Sequence, residues 1–158
     1  MKPVRDSDLS TEISSLLSEQ AQCVLATIDD TSPCQHMMAY AYSEDLFTIY
    51  LATLMDTRKF RNMLSNPRVS MMWDNRSGKA RDHVEGTSLT ATGKAFLLEG
   101  ADHELASNLV AARNSTLRSL LSDEDCRLFS VELEEYTWTR GYRMVYQLRP
   151  DWEKQGKH

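Results

Sequence analysis

The chain reads as a mainly β protein, an antiparallel barrel of six to seven strands with helices at its rim. Three observations lead there: short apolar runs with strand character, turn residues between most of them, and only three helical stretches. A parallel α/β sheet needs a crossover helix after nearly every strand, so three helical pieces are too few. Closing an antiparallel sheet on itself removes exposed strand edges, which makes a barrel the natural end point.

Taken in order, Leu9, Ile13, Leu16 and Leu17 recur at helical spacing and predict an amphipathic helix over about 9–20. Residues 22–29 (QCVLATID) then read as a strand that stops at the turn-forming Asp29-Asp30-Thr31-Ser32-Pro33. Strands follow at 34–42 and 46–53, joined by the short polar link Ser43-Glu44-Asp45, so antiparallel pairing is expected. Thr57 can cap a short helix to about Leu64, with Phe60, Met63 and Leu64 on its apolar face. Asn66-Pro67 ends that helix, because the residue before proline is pushed out of helical geometry. Residues 68–73 resume as a strand, 74–83 read as an exposed polar loop, and a long strand spans 84–98. Gly86 and Gly93 mark bends or bulges in that strand. Leucines at 105, 109, 117, 120 and 121 predict a rim helix over about 101–121 that covers a barrel end. Strands at 127–138 and 142–149, turning at Arg140-Gly141, close the chain.

Composition narrows the function classes. A chain of 158 residues with 41% hydrophobic content fits one domain, here taken as 1–158, with enough core to fold. The net charge of -5, without any Lys/Arg run, argues against a nucleic-acid binder. Three cysteines far apart, Cys23, Cys34 and Cys126, do not make a disulfide framework; Cys23 and Cys126 read as reduced core thiols. No apolar run reaches the ~18 residues of a membrane span, and Met1 to Asp6 lead into none of the apolar stretch a signal peptide requires. A cytoplasmic protein that meets neither membrane nor nucleic acid is expected. The four histidines lack i,i+4 or cysteine-paired spacing, so no metal site is expected.

Residues 49–73 carry the most chemistry. A strand ends, a helix starts on Thr57, and the cations Arg58 and Lys59 occupy its first turn. Cations there oppose the helix dipole, so local stability alone favours acidic residues at those positions. An anion docked on the helix start reverses the argument, since phosphate accepts bonds from free backbone N–H groups and from the cations. A solvated basic turn is the plainer alternative, and the dipeptide by itself does not decide between them.

The strand CVLATID, the turn to Pro33, then YLAT, TRK, NPRVSMMW and TATGKAFLLEG occur in an order and spacing that resemble the pyridoxamine 5′-phosphate oxidase family. Those proteins are FMN-binding split barrels, and the likeness covers about residues 20–100. The resemblance implies an antiparallel split β-barrel in which Thr57, Arg58 and Lys59 bind the FMN phosphate. It places Thr53 near the flavin, lays the backbone of His36, Met37 and Met38 along the isoalloxazine ring, and matches Ser88 and Trp138 to flavin-contacting positions. It also implies a homodimer with the flavin at the subunit interface. His36 is the only titratable candidate on the flavin-facing strand, with a core histidine as the alternative; no catalytic acid or base is assigned.

Departures from the family pattern bear on the reaction. The oxidases place an arginine where this chain has His36 and a lysine where it has Ala41. Their C-terminal Arg-x-His substrate clamp has no counterpart after Arg143. The implied function is therefore FMN-dependent oxidoreduction of a small molecule other than pyridoxamine phosphate. Two alternatives remain open: a flavin carrier without turnover, and a split barrel that holds deazaflavin or haem.

Overall fold

The computed structural model describes residues 6–150; the reading for Met1 to Arg5 and one of the four histidines, His158, fall outside them. Helix α1 (Asp6–Glu19) leads into β1 (Gln22–Asp29), β2 (Ser32–Ala39), β3 (Ala41–Tyr42) and β4 (Thr48–Leu54). Next come α2 (Arg58–Ser65), β5 (Arg68–Asp74), the short α3 (Asp82–Glu85) and β6 (Thr87–Leu97). Helix α4 (Gly100–Arg113), a 3-10 turn at Ser115–Leu117 and α5 (Arg118–Leu121) precede the final pair, β7 (Cys126–Arg140) and β8 (Met144–Leu148).

All eight strands belong to one antiparallel sheet with the order β2-β1-β5-β6-β7-β4-β3 and β8 added against β7. Closure comes from the path 32–42. Its first part pairs with β1 from Ser32↔Asp29 to Ala39↔Gln22, and its last part pairs with β4 through Ala41↔Tyr50. The two ends of the sheet thus meet at Tyr40. The long β7 is where the barrel splits: β6 runs along one edge, while β4 takes 126–132 and β8 takes 136–140 of the other. Chain and sheet are mainly β, as the strand pattern predicts.

Side chains alternate along each strand, which sends one set inward. Leu25, Ile49, Leu51, Met71, Trp73, Leu89, Phe129, Val131 and Tyr136 fill the interior, together with Ile13 and Leu17 of α1. Cys23 belongs to this core, and Cys126 to a second cluster under α4 with Ala106, Val110 and Leu128. Gly93 sits at a bulge, where Thr92 faces Glu135 but Gly93 already faces Leu133. A Cβ at Gly93 would lie 2.2 Å from the Glu132 carbonyl oxygen, so only glycine lets β7 approach this closely.

Several boundaries differ from the sequence reading. The predicted strand 34–42 begins earlier and breaks at Tyr40, whose buried hydroxyl donates to the Leu17 and Gln20 carbonyls. Positions 82–85 form α3 rather than loop and strand, and β6 starts only at Thr87. Asp82 drives this locally, accepting from the Ser77 hydroxyl and the backbone of Ser77, Gly78 and Lys79. Gly86 caps α3 and is no strand bulge. The predicted helix 101–121 breaks at Asn114, whose amide donates to the Tyr40 and Val110 carbonyls.

Arg113, the last residue of α4, explains why the break is placed there. Its Nη2 donates to the Leu17 and Gln20 carbonyls at 2.5 and 2.8 Å, and its guanidinium lies 4.9 and 5.0 Å from the Tyr40 and Tyr42 ring centres. A cation on the open carbonyls at the end of α1 satisfies both hydrogen bonding and the helix dipole. Removing it by Arg113→Ala is expected to cost about 2–4 kcal/mol, from charge-assisted bonds plus two cation–π contacts. Urea denaturation measures this, and a loss below about 0.5 kcal/mol would show that the bridge contributes little.

Candidate functional site

The turn 54–57 is built from hydroxyls. Thr57 is extended and caps α2, its side chain accepting from the Phe60 N–H at 3.4 Å and donating to the Leu54 carbonyl at 2.8 Å. Thr53 lies 2.9 Å away, so its hydroxyl proton goes to Thr57 once Thr57 has given its own to Leu54. Both hydroxyls are thus spent on shaping the turn. Among the described residues no hydrogen bond engages the N–H groups of Arg58 and Lys59, which are left as the outward donors.

Packing fixes where that helix start points. Phe60 meets Phe129 edge-on at 5.8 Å, and the buried Asn62 amide donates to the Thr27 hydroxyl of β1 at 2.9 Å. The same hydroxyl lies 3.0 Å from His36 Nε2. Burial is the first cause holding the His36 imidazolium below its ordinary pKa of 6.5, and the charges of Lys59 and Arg58 add to it. His36 therefore stands beside the two cations as a neutral ring.

The cations themselves differ. Arg58 donates from Nε and Nη2 to Asp29 Oδ2 at 3.0 and 2.7 Å, and this bonding raises the Arg58 pKa. Lys59 enters no ion pair among the described residues and lines a groove of about 290 Å³. Met37, Met38, Thr53 and Thr57 line the same groove. Leu117 and Leu120 supply an apolar wall; their helical spacing shows an apolar face but gives no sign of what it meets.

Ser88 and Trp138 lie elsewhere. Ser88 lines a second hollow of about 260 Å³ with Asp74, Arg76, Thr139, His83 and Tyr142. Trp138 is 6% exposed, packs in the core with Tyr146 at 5.8 Å between ring centres, and its indole N–H has no partner among the described residues. An intermediate hollow joins the two: it shares Gln22 and Met37 with the first, and Met72, Asp74 and Arg76 with the second. Of the nine predicted residues, Met37, Met38, Thr53, Thr57 and Lys59 line the first groove, His36 and Arg58 stand beside it, Ser88 lies in the second hollow, and Trp138 is in the core, where the Met38 side chain is also buried. The partners Asp29 and Thr27 carry no sequence signal, because both lie on β1 and only the fold brings that strand to the helix.

A pH dependence follows from His36. With its folded pKa lowered, the neutral ring's contribution is fully present above 6.5 and is lost as pH falls through that value toward the folded one. Wild type should therefore lose more stability between pH 7.5 and 5.5 than His36→Gln does, measured by urea midpoints. Equal losses in the two proteins would contradict this assignment.

The comparisons with known proteins agree with the strand path. The family model described as pyridoxamine 5′-phosphate oxidase matches residues 9–138. A search of curated proteins found no match. Among solved structures, a haem-binding protein from Mycobacterium smegmatis aligns with a TM-score of 0.79 at 16% identity, covering 94% of this chain and 59% of that one. The haem storage protein HutZ from Vibrio cholerae gives 0.68 at 22% identity, covering 87% and 93%. An FAD-binding protein from Mesorhizobium loti gives 0.66 at 20% identity, covering 82% and 92%. The chain spans about three fifths of the Mycobacterium smegmatis protein and of Campylobacter jejuni ChuZ. At these identities the likeness establishes a shared fold. With the family match extending over most of its length, the chain belongs to the pyridoxamine 5′-phosphate oxidase family.

Proposed function

We propose that the protein binds FMN, with the phosphate on the start of α2 and the ring along β2, and that it is an oxidoreductase for a small molecule. The observation that carries this reading is the groove beside Lys59. One end offers an ammonium and two N–H groups that have no partner among the described residues; the rest is lined by Met37, Met38, Leu117 and Leu120. That polarity suits a flat, largely apolar ligand with one phosphate tail. The donors present therefore fit FMN. When bound, the flavin supplies hydride or electron transfer at its ring, and the protein supplies binding and orientation. Lys59 and the N–H groups would hold the phosphate, while the Met37 side chain would exclude water from one ring face.

The reading includes a homodimer. Ser88 lies in a hollow separate from the phosphate end, and the exposed sheet face between them carries Met37, 61% exposed, directly across β1 from Met72. Two-fold pairing over this face would supply two equivalent sites. A cytoplasmic, one-domain protein over 1–158 completes the proposal; no helix among the described residues is long and apolar enough to cross a membrane.

Haem is the second reading, favoured by the same methionine- and leucine-lined groove and by the haem-binding proteins that share the fold. His36 would have to leave Thr27 to reach an iron. Titration of ligand-free protein with FMN and with haemin separates the readings: saturable quenching of FMN fluorescence supports the first, and a haem Soret band without flavin binding overturns it.

Pyridoxine phosphate should not be turned over. A substrate phosphate needs cations of its own, and His36, Ala41 and the missing clamp remove two or three contacts of about 1.5–3 kcal/mol each. Assay of the FMN-loaded protein for pyridoxal phosphate formation checks this; turnover at rates typical of enzymes, about 1 per second or more, would contradict it.

A further inference from the structure

Resting on the phosphate site proposed above, we propose that Asp29 is a specificity-determining residue, a tethered counter-anion that weakens the hold on a dianionic phosphate. Asp29 ends β1, 29 positions before Arg58, and the sheet brings its carboxylate to the start of α2. Both bonds from Arg58, at Nε and Nη2, go to the single oxygen Oδ2. Two of the five guanidinium donors are thereby spent, and the pair is near neutral as a unit.

The charge count around the site then changes. Of the two cations in the first turn, only Lys59 is without an acidic partner among the described residues, and His36 is held toward its neutral form. A dianion therefore meets about one net positive charge, because the Asp29 carboxylate offsets that of Arg58. Its attraction over an uncharged ligand of the same shape is correspondingly smaller than two free cations would give. The pair is also exposed, 59% for the Arg58 side chain and 42% for Asp29, so it adds little to folding and can open when a ligand arrives. Asp29 thus sets how strongly phosphorylated flavin is preferred over the unphosphorylated form.

The test is Asp29→Asn, which keeps the side-chain shape and an oxygen acceptor for Arg58 while removing the charge. FMN should bind about fivefold to tenfold more tightly to the variant than to wild type at low salt, with riboflavin unchanged. The gain should shrink as salt rises. Inorganic phosphate, followed by the amide NMR shifts of Arg58, Lys59 and Phe60, gives a readout independent of any flavin; it should tighten in the same direction. Failure of FMN to bind either protein, with phosphate still tightened by the substitution, would overturn the flavin reading and keep the role of Asp29. Unchanged or weaker phosphate and FMN binding in Asp29→Asn would overturn the proposal, showing that Asp29 orients Arg58 for the ligand. Asp29→Ser serves as the second variant should the first melt early.

Discussion

Replacing Arg58 and Lys59 together by alanine is expected to weaken FMN about a hundredfold or more while leaving riboflavin affinity nearly unchanged. Two charge-assisted contacts at about 1.5–3 kcal/mol each set this scale. The single variants should not share the loss evenly. Lys59 lines the groove without an acidic partner among the described residues, whereas Arg58 is already engaged by Asp29. Lys59→Ala should therefore cost more than Arg58→Ala. Flavin fluorescence quenching on the four proteins reads this directly. Equal losses for FMN and riboflavin would mean that the fold has been damaged; no loss for FMN would put the phosphate elsewhere.

The other large effect concerns the barrel itself. Gly93→Ala places a methyl 2.2 Å from the Glu132 carbonyl oxygen and 3.1 Å from Leu133 Cα, both main-chain atoms of the adjoining strand. Backbone cannot swing aside as a flexible side chain can, so β6 and β7 must separate at the bulge and lose ladder bonds. A loss of about 3 kcal/mol or more is expected, a Tm decrease of about 6–12 °C for a chain of this size. Gly78→Ala is the matched control: its φ of +77 carries strain, but nothing lies within 4 Å. That variant should lose only about 1–2 kcal/mol. Thermal melts of the two variants that coincide would contradict the steric account of the bulge.

What the sequence disclosed follows from how local each signal is. The cap at Thr57 and the apolar face of α2 depend on neighbours three or four positions apart; the cap is present as read, and Phe60 and Met63 are buried, but Leu64 is 52% exposed and Asn62 is buried in its stead. The strands alternate visibly because one face of each is buried, and the turn at Arg140-Gly141 is announced by a glycine whose φ is +55. The breaks were not legible. Tyr40 interrupts a strand because its hydroxyl answers the Leu17 and Gln20 carbonyls at the end of α1, 23 and 20 positions earlier, and Asn114 interrupts a helix by bonding the Tyr40 carbonyl 74 positions back. Nothing in the leucine periodicity of 105–121 records that bond.

The site shows the same division. A hydroxyl followed by two cations at a helix start stands out in one dimension, but the use of each hydroxyl does not. Thr57 looks like a phosphate donor in the sequence, yet its proton goes to Leu54 and its lone pair to Phe60. Arg58 looks free, yet Asp29 holds it. Both facts depend on pairing geometry set by the whole sheet.

The central claim is that the cofactor held beside Lys59 is FMN. Protein purified without added ligand, denatured and freed of precipitate, releases whatever it carried into the supernatant, where chromatography against FMN, FAD, riboflavin and haem standards identifies it. The account predicts FMN, approaching one per chain and falling sharply in the Arg58→Ala, Lys59→Ala double variant. Haem at that stoichiometry, unaffected by the double variant and without flavin, would contradict it.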